Sequence, residues 1–160
     1  MEIKHYNVDY QQQVVDLILS IQQQEYGIAI TAEDQPDLFT IESFYQQGKG
    51  LFLVALLEEE VVGTISLKDI GNNEVALRKM FVKEPYRGKV YKTATLLLQA
   101  AIEHAREVHV QQIYLGTVPE FKAAHRFYEK NGFTQIEMDQ LPATFPLVKV
   151  DKLFYTLRLA

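Results

Sequence analysis

No cysteine occurs in the 160 residues, which excludes disulfides, thiolate metal sites and a cysteine nucleophile. No apolar run approaches the roughly 18 residues that a membrane-spanning helix needs. The opening Met1-Glu2-Ile3-Lys4-His5-Tyr6 has neither the basic start nor the apolar stretch of a secretory signal. Positive charge is not in excess: the formal net charge is -5, against the basic footprint of nonspecific nucleic-acid binding. The chain has no internal repeat and no Gly/Ser-rich or Pro-rich linker, so one domain over residues 1–160 is expected. The motifs Gly-x-Ser-x-Gly and Gly-x-x-x-x-Gly-Lys-Ser/Thr are missing, and the serine-hydrolase and P-loop readings fall with them. What remains is an ordinary globular balance, 48% hydrophobic and 23% charged, able to bury a core. A cytoplasmic setting is the expectation, with no membrane and no nucleic acid as partner.

Hydrophobic spacing gives the element order β-α-α-β-β-β-α-β-α-β-β. Glu2 to Tyr6 reads as a strand, followed by a helix with Val14, Leu17, Ile18 and Ile21 inward and Asp9 as its N-cap, ending near Gly27. A second helix is predicted from about Asp37 to Gly48, with Leu38, Ile41, Phe44 and Tyr45 inward. Leu51 to Leu57 and Val61 to Leu67 form a hairpin across a glutamate-rich turn, and Gly71-Asn72-Asn73 turns into a fourth strand, Glu74 to Val82. The most regular helix spans about Tyr91 to Glu107; Gln112 to Gly116 is a strand, Glu120 to Asn131 a helix, and Gly132 its C-cap glycine. Phe133 to Glu137 and Val150 to Leu159 close the chain as strands. The expected fold is α+β: a mixed sheet of about seven strands flanked by about four helices, with a right-handed parallel crossover between strands four and five.

The stretch from Val82 to Thr93 carries the chemistry. A strand ends, a short turn follows and a helix begins, so free backbone N–H groups and the helix dipole converge on an anion site. Arg87, Lys89 and Lys92 add positive charge to it. A phosphate-binding turn and a merely solvated basic helix start both fit these residues.

Together with Phe127-Tyr128-Glu129-Lys130-Asn131-Gly132-Phe133, the stretch resembles the GCN5-related N-acetyltransferase superfamily. The Arg/Gln-x-x-Gly-x-Gly/Ala signature falls on Arg87 to Lys92, and the second helix motif on Ala124 to Phe133. A narrower resemblance, on Glu25-Tyr26-Gly27-Ile28, Leu77-Arg78-Lys79-Met80-Phe81-Val82 and Ala123 to Tyr128, is to a bacterial branch. Some members of that branch carry a MarR-type DNA-binding domain ahead of the transferase; this chain opens on the first transferase strand, and no such domain is expected.

The resemblance implies the acyl-CoA N-acyltransferase fold, splayed between strands four and five. It implies acetyl transfer from acetyl-CoA to a primary amine of a small molecule or peptide, by direct attack in a ternary complex, with no metal. A non-catalytic acyl-CoA-binding module is the alternative, and a homodimer is in keeping with the family. Met80, Phe81 and Val82 would face pantetheine, with the Met80 N–H polarising the thioester carbonyl. The backbone of Arg87, Gly88, Lys89, Val90, Tyr91, Lys92 and Thr93 would wrap the pyrophosphate. Val90 and Lys92 stand where the signature has small residues, so a less intimate loop is expected at Val90, with Lys92 charge in compensation. Tyr128 matches the tyrosine that protonates the departing thiolate, or packs its helix. The family's strand-four glutamate is replaced by Ala76, which leaves Glu74 as the candidate base or as a solvated strand end. Glu25 and Tyr26 would line the acceptor pocket. His125 is expected to be structural, and His5, His104 and His109 share no ligand spacing.

Overall fold

The computed structural model describes residues 1–159. Seven strands form one mixed sheet in the order β1-β2-β3-β4-β5-β7-β6. They are β1 Glu2–His5, β2 Leu51–Leu57, β3 Glu60–Gly71, β4 Glu74–Val82, β5 Gln112–Thr117, β6 Thr134–Ile136 and β7 Leu153–Arg158. Four α-helices flank it: α1 Gln11–Leu19, α2 Ile41–Tyr45, α3 Thr93–Glu107 and α4 Lys122–Lys130. The element order is the one the hydrophobic spacing predicts.

Two apolar layers hold the helices to the sheet. On one face Val14, Ile18, Leu38 and Tyr45, from α1, α2 and the turn before α2, pack against Phe52, Val54 and Val61. On the other, Leu97, Leu98 and Ala101 of α3 and Tyr128 of α4 pack against Leu53, Ile65, Leu67 and Val75. Each fully buried aliphatic or aromatic side chain contributes about 1.5–3 kcal/mol, so these layers dominate the stability.

Several boundaries differ from the sequence expectation, each for a local reason. Asn7, not Asp9, supplies the cap, and it caps a 3-10 turn, Val8–Tyr10, through its Oδ1, which accepts the Asp9 N–H at 2.9 Å; α1 follows after Tyr10 with no side-chain cap of its own. Residues Ser20–Glu25 wind as a π-helix, which brings Gln22 inward beside Gln35. The second helix is broken at Thr40 into a 3-10 turn, Pro36–Phe39, and α2. Glu58 and Glu59 both take positive φ, 51° and 70°, the backbone a two-residue hairpin turn requires. Helix α3 starts at Thr93 rather than Tyr91, because Lys92 leaves the helical region.

The decisive irregularity is in β4. Its antiparallel register against β3 shifts between Ser66↔Arg78 and Thr64↔Phe81, so Lys79 and Met80 together face Ile65. Lys79 has φ 54°, and the result is a β-bulge. Hydroxyls on β3 satisfy the displaced carbonyls: Ser66 Oγ donates to Arg78 O and Thr64 Oγ1 to Lys79 O, each at 2.6 Å. Both β3 residues are fully buried. The parallel ladder between β4 and β5 covers only Glu74↔Gln112 to Ala76↔Tyr114, ending three residues before the bulge, and from there on β4 no longer pairs with β5. A cleft opens between the strands.

If the two hydroxyls hold the bulge, Ser66→Ala combined with Thr64→Val should cost about 2–4 kcal/mol, about 1–2 for each unsatisfied carbonyl. Urea denaturation measures this, and a loss under 1 kcal/mol would mean that the carbonyls find other partners.

Candidate active site in the cleft between two strands

The bulge decides which side chains meet the cleft. Side chains alternate faces along a strand, but the extra residue puts Arg78 and Lys79 on the same face. Arg78 lies over Phe44 and Tyr45 of α2 as a cation on their rings, its guanidinium carbon 5.5 and 6.0 Å from the centroids. Lys79 Nζ donates to Gln35 Oε1 at 2.5 Å and lies 3.7 Å from Asp37 Oδ2. Met80 turns to the opposite face, where the Tyr128 hydroxyl lies 3.8 Å from its sulfur.

The edge of β4 beyond the bulge is unpaired. Lys83 N–H donates to Val62 O on the β3 side at 2.8 Å. By alternation the N–H groups of Met80 and Val82 point the other way, into the gap that β5 has left. The Val82 carbonyl on that edge already accepts from Arg87 Nε at 2.7 Å.

Adjoining cavities run along the gap. One, of about 250 Å³, lies between Tyr26, Met80, Val82, Arg87, Phe127 and Tyr128. The next, about 100 Å³, is walled by Ile28, Arg78, Lys79, Tyr128, Phe145 and Asp151. Met80, Phe81, Phe121 and Tyr128 line both, so Tyr128 stands at the junction. The loops at residues 27–35 and 141–151 cover the inner cavity, joined by Ile28, Ile30, Val118, Val148 and Val150 in a small apolar cluster.

The turn from Arg87 to Thr93 sits at the mouth of the larger cavity. Lys92 is the residue before α3 and has left-handed backbone, φ 55° and ψ 32°, with no side chain capping the helix. The first N–H groups of α3 therefore remain open to an anion. Val90 is 89% exposed and Lys89, Tyr91 and Lys92 are also exposed, while Thr93 is buried with Oγ1 donating to Tyr86 O at 2.9 Å. The positive φ falls at Lys92, and Val90 keeps negative φ. The backbone cost thus sits at the second signature position.

Burial shapes the acid–base chemistry. Tyr128 is buried against Phe133 and Tyr155; burial, then the nearby Asp151 charge, push its phenol well above the ordinary value. Asp151 is raised to about 6 by burial, with Arg78 and Lys79 pulling the other way. Lys79 is lowered to about 8, again by burial, against the pull of Asp37. Asp151 reaches this position across Gly116, where any Cβ would stand 2.7 Å from its Oδ2.

Three further sequence-predicted side chains stand outside the inner cavity. Glu74 lies at the closed end of the strand pair, roughly 20 Å along an extended strand from Met80; it accepts from Tyr114 Oη at 3.4 Å and borders no cleft cavity. Glu25 is held in a two-pronged pair with Arg87, at 2.5 and 2.8 Å, and its carboxyl is lowered chiefly by that hydrogen bond. The pair also removes most of the Arg87 charge from the turn. Tyr26 stacks edge-on with Phe121, centroids 4.8 Å apart, and borders the larger cavity rather than the inner one. His125 Nε2 is bonded to Val118 O at 2.9 Å, a structural role. Asp151 was missed because it lies in a loop without motif, 23 residues after Tyr128 in sequence. Among the described residues no group of three or more His, Asp or Glu side chains has metal-binding geometry, and no helix is long and apolar enough to cross a membrane.

The profile of the Acetyltransferase (GNAT) family matches residues 15–133. Over 104 residues, 62% of the chain, the sequence is 39% identical to N-acetylaspartate synthetase of Xenopus tropicalis. The chain spans 37% and 49% of the lengths of the two Xenopus tropicalis relatives it matches. Among solved structures, an acetyltransferase of the GNAT family from Staphylococcus aureus Mu50 is 41% identical, with 99% of each chain covered and a TM-score of 0.96. The PaiA N-acetyltransferase of Thermoplasma acidophilum, solved in complex with coenzyme A, shares the fold at 18% identity, with 99% and 98% of the chains covered and a TM-score of 0.75.

The left-handed Lys92 gives a direct test of local strain. Lys92→Gly should stabilise the protein by about 1 kcal/mol, since glycine reaches this backbone freely, whereas Lys92→Ala should not. Chemical denaturation of the two variants measures the difference, and equal stabilities would remove the strain at this position.

Proposed function

The chain belongs to the acetyltransferase (GNAT) family, and on that premise we propose that it transfers an acetyl group from acetyl-coenzyme A to a primary amine by direct attack in a ternary complex. The observation that carries this reading is the unpaired Met80–Val82 edge, opening on a cavity with the Tyr128 hydroxyl at its inner end. Pantetheine extends along that edge as an added strand, bonded to Val82 and flanked by Phe81. The Met80 N–H donates to the thioester carbonyl oxygen and steadies the negative charge that develops there. Pyrophosphate rests on the open N–H groups at the start of α3, wrapped by Arg87 to Thr93. The exposed Lys89 and Lys92 add charge that Arg87, paired with Glu25, no longer supplies. The relative named for N-acetylaspartate synthesis supports a primary amine as acceptor. Acetyl-CoA as donor, together with a chain free of cysteine, supports a cytoplasmic setting.

The proton steps follow from the two buried acids. The acceptor arrives as an ammonium, and Asp151, rather than Glu74, takes its first proton; a carboxyl raised to about 6 is a far better base than an ordinary one at neutral pH. The amine lone pair then forms the C–N bond as the carbonyl π electrons move to oxygen. Collapse of that intermediate breaks the C–S bond, and the electron pair leaves on sulfur. Tyr128, whose high value keeps it protonated, gives its proton to the thiolate and recovers one from the amide nitrogen. The balance is N-acetylated product, coenzyme A thiol and one proton passed from Asp151 to solvent.

Acetyl-CoA at a hundredfold excess over Kd should stabilise the protein by about 2.7 kcal/mol in a thermal-shift assay; no shift would remove the donor from this reading. Tyr128→Phe should lower kcat with little change in acetyl-CoA affinity, and wild-type turnover would reduce the tyrosine to packing.

Asp151→Asn makes a two-sided prediction. A raised carboxyl disfavours the ionised fold, so the stability it allows is full at low pH and falls as pH rises from the ordinary 3.8 through about 6. The variant should lose about 100-fold in kcat and the acidic limb near pH 6. It should also gain on the order of 1–3 kcal/mol of stability at pH 8, a gain that shrinks by pH 4. A variant less stable than the parent at pH 8 would assign Asp151 to structure instead.

A further inference from the structure

Resting on the acetyl-transfer reading, we infer that the amine acceptor carries a carboxylate, held by Arg78 and Lys79 while its amine meets Asp151. Four observations converge on this. The bulge turns two consecutive cations onto one face, where an unbroken strand would have sent Lys79 towards α3. Both line the inner cavity, with Asp151 on its wall. The charge facing that space is two positive against one negative. With Asp37 paired behind Lys79 and Asp151 engaging the ammonium, Arg78 is the cation left over, and a carboxylate on the acceptor completes the balance, whereas a polyamine would bring further positive charge against Arg78 and Lys79.

Arg78 is built to receive such a group. Among the described residues it has no carboxylate within ion-pair distance; its guanidinium lies over the rings of Phe44 and Tyr45. A half-buried guanidinium fixed in this way presents two parallel N–H groups to a carboxylate with little rotamer entropy left to lose. Lys79 is 7% exposed, and the Asp37 carboxylate near it is shared with the Tyr45 hydroxyl, which donates at 2.5 Å. A second anion therefore relieves a cation that its own partner only partly compensates.

The outer end of the same groove has the room for the rest of the acceptor. A further cavity of about 500 Å³ lies against Asp34, Arg78, Leu147, Val148 and Lys149. It shares Ile30, Arg78, Pro146, Val148 and Val150 with the inner one. Arg78 thus stands between the reacting end and the outer space, where the carboxylate of an amino acid or of an acidic side chain would fall.

The experiment compares the standard amino acids with their carboxamides and with spermidine, following coenzyme A thiol release, with acetyl-CoA binding read separately by thermal shift. At least one free acid should be acetylated, with kcat/KM about 100-fold or more above its amide. Arg78→Gln should raise KM for that acid and narrow the acid-to-amide ratio to within about tenfold, with acetyl-CoA affinity unchanged, and Arg78→Lys should restore part of the ratio. Amides or spermidine serving as well as free acids, or no free acid turned over by a protein that binds acetyl-CoA, would overturn the carboxylate assignment alone. Failure to bind acetyl-CoA would instead sink the acetyl-transfer reading beneath it.

Discussion

The extra residue in β4 governs the rest of the cleft. A parallel pair of strands would hydrogen-bond continuously if its register allowed it, and the ladder between β4 and β5 ends at Ala76. The bulge at Lys79 and Met80 follows within three residues and bends the strand away. It persists because two buried hydroxyls on β3 take up the carbonyls it displaces. Without them the same backbone would carry buried unsatisfied acceptors, and the straighter ladder would be favoured. Two small polar residues on a hidden strand thereby set the opening of the cleft, the free edge of β4 and the facing of Arg78 and Lys79.

Charge in the cleft is sorted by pairing. Arg87 and Glu25 neutralise one another across the larger cavity, leaving an anion at the start of α3 to the helix N–H groups and to exposed lysines. Lys79 and Asp37 form a second, more buried pair. Asp151 is different, because burial outweighs the attraction of Arg78 and Lys79. Its carboxyl is raised to about 6 by that burial, a perturbation of the kind that marks candidate proton-transfer groups.

Much of the architecture was legible in the sequence. Apolar β-type runs and turn residues located β2, β3 and β4, and the apolar stripe of α3 fixed the crossover that follows β4. The turn at Arg87 to Thr93 and the helix of Tyr128 were visible as motifs because their chemistry is local. What could not be read were features that depend on contact between distant segments. Nothing in Lys79-Met80 marks a bulge until Thr64 and Ser66 lie opposite, and Asp151 becomes a cleft acid only when its loop folds over Gly116. Glu25 looked like an acceptor ligand because Arg87, 62 residues away, was unseen as its partner. Glu74 was placed by counting along a strand, and the count was blind to where β4 and β5 separate.

Several unfavourable terms fall beside the cleft. Lys79 and Lys92 both hold left-handed backbone, at about 1–2 kcal/mol each for a residue with a Cβ. Asp151 and Lys79 are both desolvated, and burial is the first cause of each shift. Lys79 and Asp151 line the inner cavity and Lys92 stands in the turn before α3, while the other left-handed non-glycine residues, Glu58, Glu59, Asn72, Asn73 and His109, lie in turns elsewhere. A packed sheet with its core intact can hold such strain because the surrounding structure over-determines the local backbone. The same logic explains why the groups stay reactive. Relaxing Lys79 into regular strand geometry would return it to the other face and close the ladder towards β5, and solvating Asp151 would lower it to the range of an ordinary carboxylate. At Lys79 strain, desolvation and an open strand edge meet in one stretch of β4.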